Sequence, residues 1–462
     1  MLDKLFKLFF WLFLISLPFG SRILLFKFTP DFNEYGAVFL YASDILMVLF
    51  LFFFSLNRTQ AKPAFENQDQ DFRNCLSEPE YSDSSGRNFF SLGAEIPTSS
   101  GTKLSAPAGH SSRQLRKSYR NRAVGIFSQT GLVWLFVLFL SISIFFASYK
   151  LLAIYNFIRL ALLVLTALAI AGILKRNLVR LENILAILVG LAAFQSIIAF
   201  FQFLNQKSLG FWFLGESILG PEIPGVAKIV VAGGKILRAY GTFPHPNILA
   251  AFLLLGLFSS YYFLFRNRET RDNRKITKFR FVNFSHGVAA LTVFLISLGL
   301  VLTFSRAAWV LGIFLTLFYI FLSKSYRLQT KYPLIILVFI FLSIVLIMGW
   351  LIFPRAQISL TEPSVSQRIS YNELGWRLIK NNPWGIGLGN QVIYSVKNGF
   401  YQMLGMNQSW QWQPIHNIYF LIGSEIGVLG LLAFLALMAK SLIFNFALRE
   451  GSRPAGQFLI LM

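Results

Sequence analysis

The chain repeats apolar runs that are each near the length a helix needs to cross a bilayer. No other feature constrains its fold as strongly. A hydrocarbon core of about 30 Å takes roughly twenty apolar residues in a helix. Such runs fall at 5–26, 36–56, 131–148, 151–173, 181–203, 247–265, 284–302, 307–323, 333–353 and 423–443. Residues 456–462 resemble the start of another span or a short membrane-dipping tail, as if the chain were cut there. Charged residues make up 13% of the sequence and hydrophobic ones 55%. A soluble domain carries about 25% charged residues, and its interior has no room for this much Phe and Leu. The sequence therefore predicts an all-α fold, a polytopic transmembrane helical bundle of about 10–11 spans with a large, partly helical external loop.

Charge orients the bundle. The net charge is +22, which in a soluble protein would suggest nucleic acid. Here the cations sit in short loops between apolar runs, the pattern of membrane topology, so no nucleic-acid partner is expected. With the N-terminus in the cytoplasm, 28 of the 42 basic residues fall on the cytoplasmic side. The opposite orientation would strand the basic run Arg266–Lys275 outside. Lys4 and Lys7 precede an apolar run as in a signal peptide, but no clear cleavage site follows, so this run is read as a retained first helix. The expected topology is multi-pass with the N-terminus in the cytoplasm. Cys75 stands alone in a polar loop and can form neither an internal disulfide nor a cysteine-rich metal site.

Five regions follow: N-terminal transmembrane helices at 1–56, a polar insert at 57–130, a transmembrane core at 131–353, an external loop at 354–415 and C-terminal transmembrane helices at 416–462. The insert, rich in Ser, Asn, Gln, Gly and Pro, reads as disordered and cytoplasmic. Its basic end, Arg113 to Arg122, suits anionic headgroups. The loop 354–415 holds Trp376, Trp384, Trp410 and Trp412, which argues against disorder, and it carries a surplus of cations that suggests an anionic partner.

Four external blocks carry candidate chemistry. Arg238-Ala-Tyr-Gly-Thr-Phe-Pro-His-Pro-Asn247 sets a cation before a helix start, with Pro246 fixing the entry and Asn247 as a plausible N-cap. Thr303-Phe-Ser-Arg306-Ala-Ala-Trp309 places Arg306 at the interface, where it either snorkels or faces a lipid-linked phosphate. Arg368, Arg377 and Lys380 precede Asn381-Asn-Pro-Trp-Gly385-Ile-Gly387-Leu-Gly389-Asn390, whose glycines read as a turn and not as a dinucleotide fingerprint. His416-Asn417 opens the last long span, nine residues before Gly427-Val-Leu-Gly430. Of the four histidines, His110 and His286 fall on the cytoplasmic side, leaving His245 and His416 outside. Arginines bind diphosphate oxygens in paired hydrogen bonds, and a neutral His can deprotonate a hydroxyl. Together they describe group transfer from a lipid diphosphate to an alcohol. No cofactor or metal is required; Asp31 and Glu34 are the one close acidic pair outside. Asp44 and Arg159, within or near spans, either mark a transport path for lipid-linked glycan or pair with each other as a structural tie. A transporter (flippase) and a non-catalytic subunit of a polysaccharide assembly complex stand as the alternative readings.

These blocks resemble the bacterial O-antigen ligase and O-antigen polymerase superfamily. The likeness runs from about 180 to 445, with weaker agreement near Tyr41 to Asp44, and its strongest element is His416-Asn417, nine residues, then Gly427 and Gly430. The resemblance implies a metal-independent, multi-span glycosyltransferase of a bacterial cytoplasmic (inner) membrane, with its active site on the external, periplasmic face. It would move a glycan from an undecaprenyl-diphosphate carrier to lipid A–core, another repeat unit or another glycan acceptor. It implies His416 as the acid/base or acceptor-activating residue and Arg238, Arg306, Arg368 and Arg377 as diphosphate and sugar clamps. Pro246, Asn247, Asn417, Gly427 and Gly430 would be motif positions with structural roles. His245 sits where family members vary, and no catalytic role is expected for it. The partners implied are the carrier-linked glycan, the acceptor and membrane lipids. Ligase and polymerase are not separable from spacing.

Overall fold

The computed structural model describes residues 2–28, 34–60, 129–231, 233–265, 285–325, 331–356 and 363–447. Nearly all of the polar insert, with Cys75 and His110, and the stretch beyond 447 lie outside the described residues. The fold is all-α, as expected. Thirteen α-helices are described: α1 (Leu2–Ser16), α2 (Ala42–Gln60), α3 (Gln129–Phe146), α4 (Lys150–Lys175), α5 (Leu181–Asn205), α6 (Pro246–Leu264), α7 (His286–Leu302), α8 (Arg306–Ser325), α9 (Lys331–Ala356), α10 (Pro363–Asn381), α11 (Gln391–Lys397), α12 (Phe400–Met403) and α13 (Ile418–Ala447). Two small antiparallel hairpins accompany them, β1 (Arg22–Lys27) with β2 (Ala37–Tyr41) and β3 (Lys228–Val231) with β4 (Gly234–Leu237). Four helices are long and apolar enough to cross a membrane: α4, α5, α6 and Ile418–Lys440 of α13. Five more described helices are apolar over shorter lengths. This is a membrane protein.

The first two spans differ from the expectation. The run 5–26 is helical only to Ser16, and Arg22–Lys27 turns back as a strand against Ala37–Tyr41. Pro18 and Gly20 break the helix, while Ile23 to Phe26 keep the hydropathy high, and hydropathy cannot tell an extended apolar stretch from a helical one. The second helix accordingly starts at Ala42, where Tyr41 N–H donates to Asp44 Oδ2 at 3.4 Å. The two helices join through phenylalanines in antiparallel register: Phe6 on Phe54, Phe9 on Phe53 and Phe10 on Phe50.

The main core lies among α5, α6 and α7. Small residues let these backbones approach: Gly256 of α6 packs on Ala192 of α5, and Gly299 of α7 packs on Ser196. Hydrophobic surface gains nothing from lipid-to-protein transfer, so close contact of this kind holds such helices together. A second group forms where α13 packs on α3 and α10. The segment 354–415 is ordered over its described part: Tyr371, Leu374, Leu378, Ile386, Val392, Tyr401, Met406 and Ile415 form a core of their own. Asp44 and Arg159 pair with each other at 3.2 Å, with the guanidinium 4.4 Å over the Tyr41 ring. Glu34 is held by Arg22 at 2.8 Å, and Asp31 lies outside the described residues.

Candidate functional site

Polar side chains on α5 fix the first block. Gln195 and Gln202, seven residues apart, share one face of an otherwise apolar helix. Gln202 Oε1 accepts from Tyr240 and Gly241 N–H at 3.0 and 2.8 Å, and its amide donates to Gly241 O at 2.8 Å and Glu216 Oε1 at 2.7 Å. Gln195 holds Thr242 in the same manner, at its N–H and its hydroxyl, and Thr242 Oγ1 donates to Pro18 O. Gly241 lies in the left-handed region at φ 59°, where a Cβ would strike the Gln195 carbonyl oxygen. These amides pin 240–242, and the residues on either side become fixed arms.

On one arm, buried Arg238 donates from Nε to Thr303 O and from Nη2 to Asn247 Oδ1, both at 2.7 Å. It ties the first block to the second. The 303–306 turn has Phe304 at φ 50° and delivers half-buried Arg306 to the first position of α8. On the other arm, α6 is capped by His245 and not by Asn247. Pro246 takes the first helical position, and His245 Nδ1 accepts from Asn247 N–H at 3.1 Å. Asn247 is left free to receive Arg238.

The third and fourth blocks meet through backbone. Helix α13 is broken at Gly427 (φ 86°, ψ 174°), a conformation open to glycine alone. The turn 383–387 fills the break: Ile386 and Gly387 N–H donate to Ser424 and Glu425 O, and Val428 N–H donates to Pro383 O, at 2.9, 3.0 and 2.9 Å. A Cβ on Gly385 would stand 2.5 Å from Glu425 O, and one on Gly427 2.6 Å from the Trp384 carbonyl carbon. Gly387 and Gly389 meet Ala147 and Asn156 in the same close way. The alternating glycines are thus a turn, and also a seam. Gly430 packs beside Phe139 of α3, and Asn417 Oδ1 caps α13 by accepting from Tyr419 N–H at 3.0 Å.

His416 stands where the blocks converge. The Tyr371 ring lies 5.0 Å from its own, and Arg368, one turn earlier on α10, acts on it as a near cation. Burial chiefly, then Arg368, lowers the His416 pKa, and a hydrogen bond to the Pro414 carbonyl partly offsets them. The same Arg368 and His416 reach His245 electrostatically, as does Arg238. With burial as the largest cause, they push the His245 pKa down to about 4. Both imidazoles are therefore neutral at neutral pH, beside fixed guanidinium charge. Arg377 lies apart: nine residues past Arg368 is half a turn around the helix, and it forms an exposed pair with Glu373 at 2.6 Å.

Residues 291–435 match the protein-family model described as O-antigen ligase. This segment is similar to an O-antigen ligase domain. It contains the second, third and fourth blocks, with Arg306, Arg368 and His416, while Arg238 to Asn247 precede it. No curated protein and no solved structure matches the chain. Outside the matched segment, Arg238 joins it through Thr303, and His245 joins it through the field of His416 and Arg368. The sequence pattern missed Tyr371 and the two glutamines. The glutamines carry a readable signal, since polar residues seven apart in an apolar span face one partner.

Proposed function

We propose that the chain is a glycan ligase or polymerase that uses a polyprenyl-diphosphate donor on the external face of the cytoplasmic membrane. The observation that carries this reading is the convergence of His416 with Tyr371, Arg368, His245 and Arg238 in and beside the segment similar to an O-antigen ligase domain. His416 takes the proton of an acceptor hydroxyl. The freed oxygen attacks the anomeric carbon of the donor glycan, and the bond from that carbon to the diphosphate oxygen breaks. The electron pair leaves on the diphosphate, whose growing charge Arg368 and Arg306 receive. Arg238 anchors the loop that carries the site, and Arg377 serves, if at all, from the far face of α10. A lowered pKa suits His416 to the task, because the ring stays an open base to a lower pH than a free His. Undecaprenyl diphosphate is the carrier this reading expects; the acceptor is lipid A–core or a further repeat.

His416→Ala is the direct test. We expect surface glycan attachment or chain growth to fall by roughly 10²–10⁴-fold, the usual range for a general base. Full-length, fully attached glycan from a folded, well-expressed variant would end the catalytic role. Purified protein given a defined carrier-linked repeat separates the two activities, since growth without an added acceptor means polymerase.

A further inference from the structure

His245 has no role in the step above beyond lying near it, yet its chemistry is the most fully determined in the site. Nδ1 accepts the Asn247 N–H at 3.1 Å, so its lone pair is in use. A neutral imidazole carries one proton, and with Nδ1 an acceptor that proton sits on Nε2. Protonating Nδ1 would set two N–H groups against each other and remove the cap from α6. The surroundings oppose it as well: Arg238 is tied to Asn247 next door, Arg368 and His416 act on the ring through their charge, and Tyr240 stands edge-on with centroids 6.2 Å apart. Nε2 thus has no lone pair to offer, and the ring cannot act as a base. It can only donate.

We propose that His245 is a donor-only imidazole of the transfer site, whose Nε2–H hydrogen-bonds a phosphoryl oxygen of the lipid diphosphate and leaves proton removal to His416 alone. This rests on the glycan-transfer reading. Such a bond, neutral donor to charged acceptor, is stronger than a neutral pair. It adds direction to the diphosphate grip without adding charge. The division of labour between the two histidines follows from their hydrogen bonds: the His245 ring accepts at a helix end, which leaves it only a donor, while the His416 ring donates to the Pro414 carbonyl, which leaves its other nitrogen a lone pair to offer.

Two substitutions separate cap from donor. In His245→Asn the amide oxygen stands near the place of Nδ1 and keeps a strong N-cap, while the Nε2 donor is lost. In His245→Gln an amide N–H reaches the place of Nε2, and the cap is lost. The full chain in nanodiscs is titrated with farnesyl diphosphate as the probe, and its Tm is recorded. We expect His245→Asn to hold its Tm and weaken binding by about tenfold, as for loss of a bond to a charged oxygen. We expect His245→Gln to lose Tm and stay within a few-fold in binding. Wild-type binding that His245→Asn leaves unchanged overturns the role of His245 and spares the glycan-transfer reading. Absence of wild-type binding overturns both. Should His245→Asn fail to fold, ¹⁵N-histidine spectra of the wild-type chain decide. A neutral Nε2–H ring at pH 7 whose Nε2 resonance moves on adding the probe supports the proposal. A protonated ring, an Nδ1–H ring or an unmoved resonance overturns it.

Discussion

Two loops bring reactive groups to one place, and they are held by opposite means. The 238–247 loop is gripped by side chains, the amides of Gln195 and Gln202 reaching out of α5. The 383–428 junction is gripped by backbone, with strand-like hydrogen bonds closing a gap in α13 and glycines allowing the approach. A side-chain grip can be weakened one bond at a time and can be read in sequence as a polar residue in the wrong solvent. A backbone grip has no such gradation. It needs the absence of a Cβ, and any side chain at those positions opens it.

The sharpest way to break this contrast is Gly427→Ala. Its Cβ would fall within 2.8 Å of the Pro383 and Trp384 backbone, in a backbone region closed to other residues. We expect a loss of about 3 kcal/mol or more, read as a lower Tm and a heterogeneous profile in size-exclusion chromatography. A protein as stable as wild type would show that the seam is incidental. Gln202→Ala should follow, costing about 2–3 kcal/mol because it leaves the Tyr240 and Gly241 amides unpaired. Chemical denaturation in detergent measures it, and equality with Gly427→Ala would erase the distinction between the two grips. A pH series sharpens the side-chain loop further. The His245 pKa is depressed from 6.5 to about 4, by burial first and then by Arg238, His416 and Arg368. The unfolded chain thus binds the proton more readily, and this contribution to stability is whole above pH 6.5 and drains as pH falls from 6.5 toward 4. Tm should slope downward over that window in the wild type, and less steeply in His245→Asn. The smallest effect is expected of Arg377→Ala, which removes an exposed pair one turn apart on α10 and should cost about 0.5 kcal/mol or less. A large drop in glycan transfer from that change would bring the far face of α10 into the site.

The sequence made the all-α membrane fold legible because lipid demands long apolar runs, and the four blocks legible because histidines are few and cations outside the cytoplasmic loops stand apart. What stayed hidden has physical causes. Ile23 to Phe26 are apolar in a helix and in a strand alike, so hydropathy ran past the true end of the first helix. The cap of α6 shifted by two residues because Pro246 occupies the first turn, a choice that Asn247 obscured by being the better capping type. Arg368 and Arg377 stand nine apart, a spacing that need not share a helix face, and α10 puts them on opposite sides. His245 was set aside on pattern grounds; only its bond to Asn247 and the charges around it reveal what the ring can do.

The seam at Gly427 has a consequence for how such proteins diversify. Because main-chain hydrogen bonds close it at 383–387, the outward side chains of that turn contribute little to keeping it shut. Trp384 stands largely in the open at the middle of the turn, and Leu429 faces outward just past the break. Positions of this sort can change in size and shape while His416 and the main chain beneath them stay where they are. A junction closed by glycine is thus a frame whose outward side chains can vary without opening it.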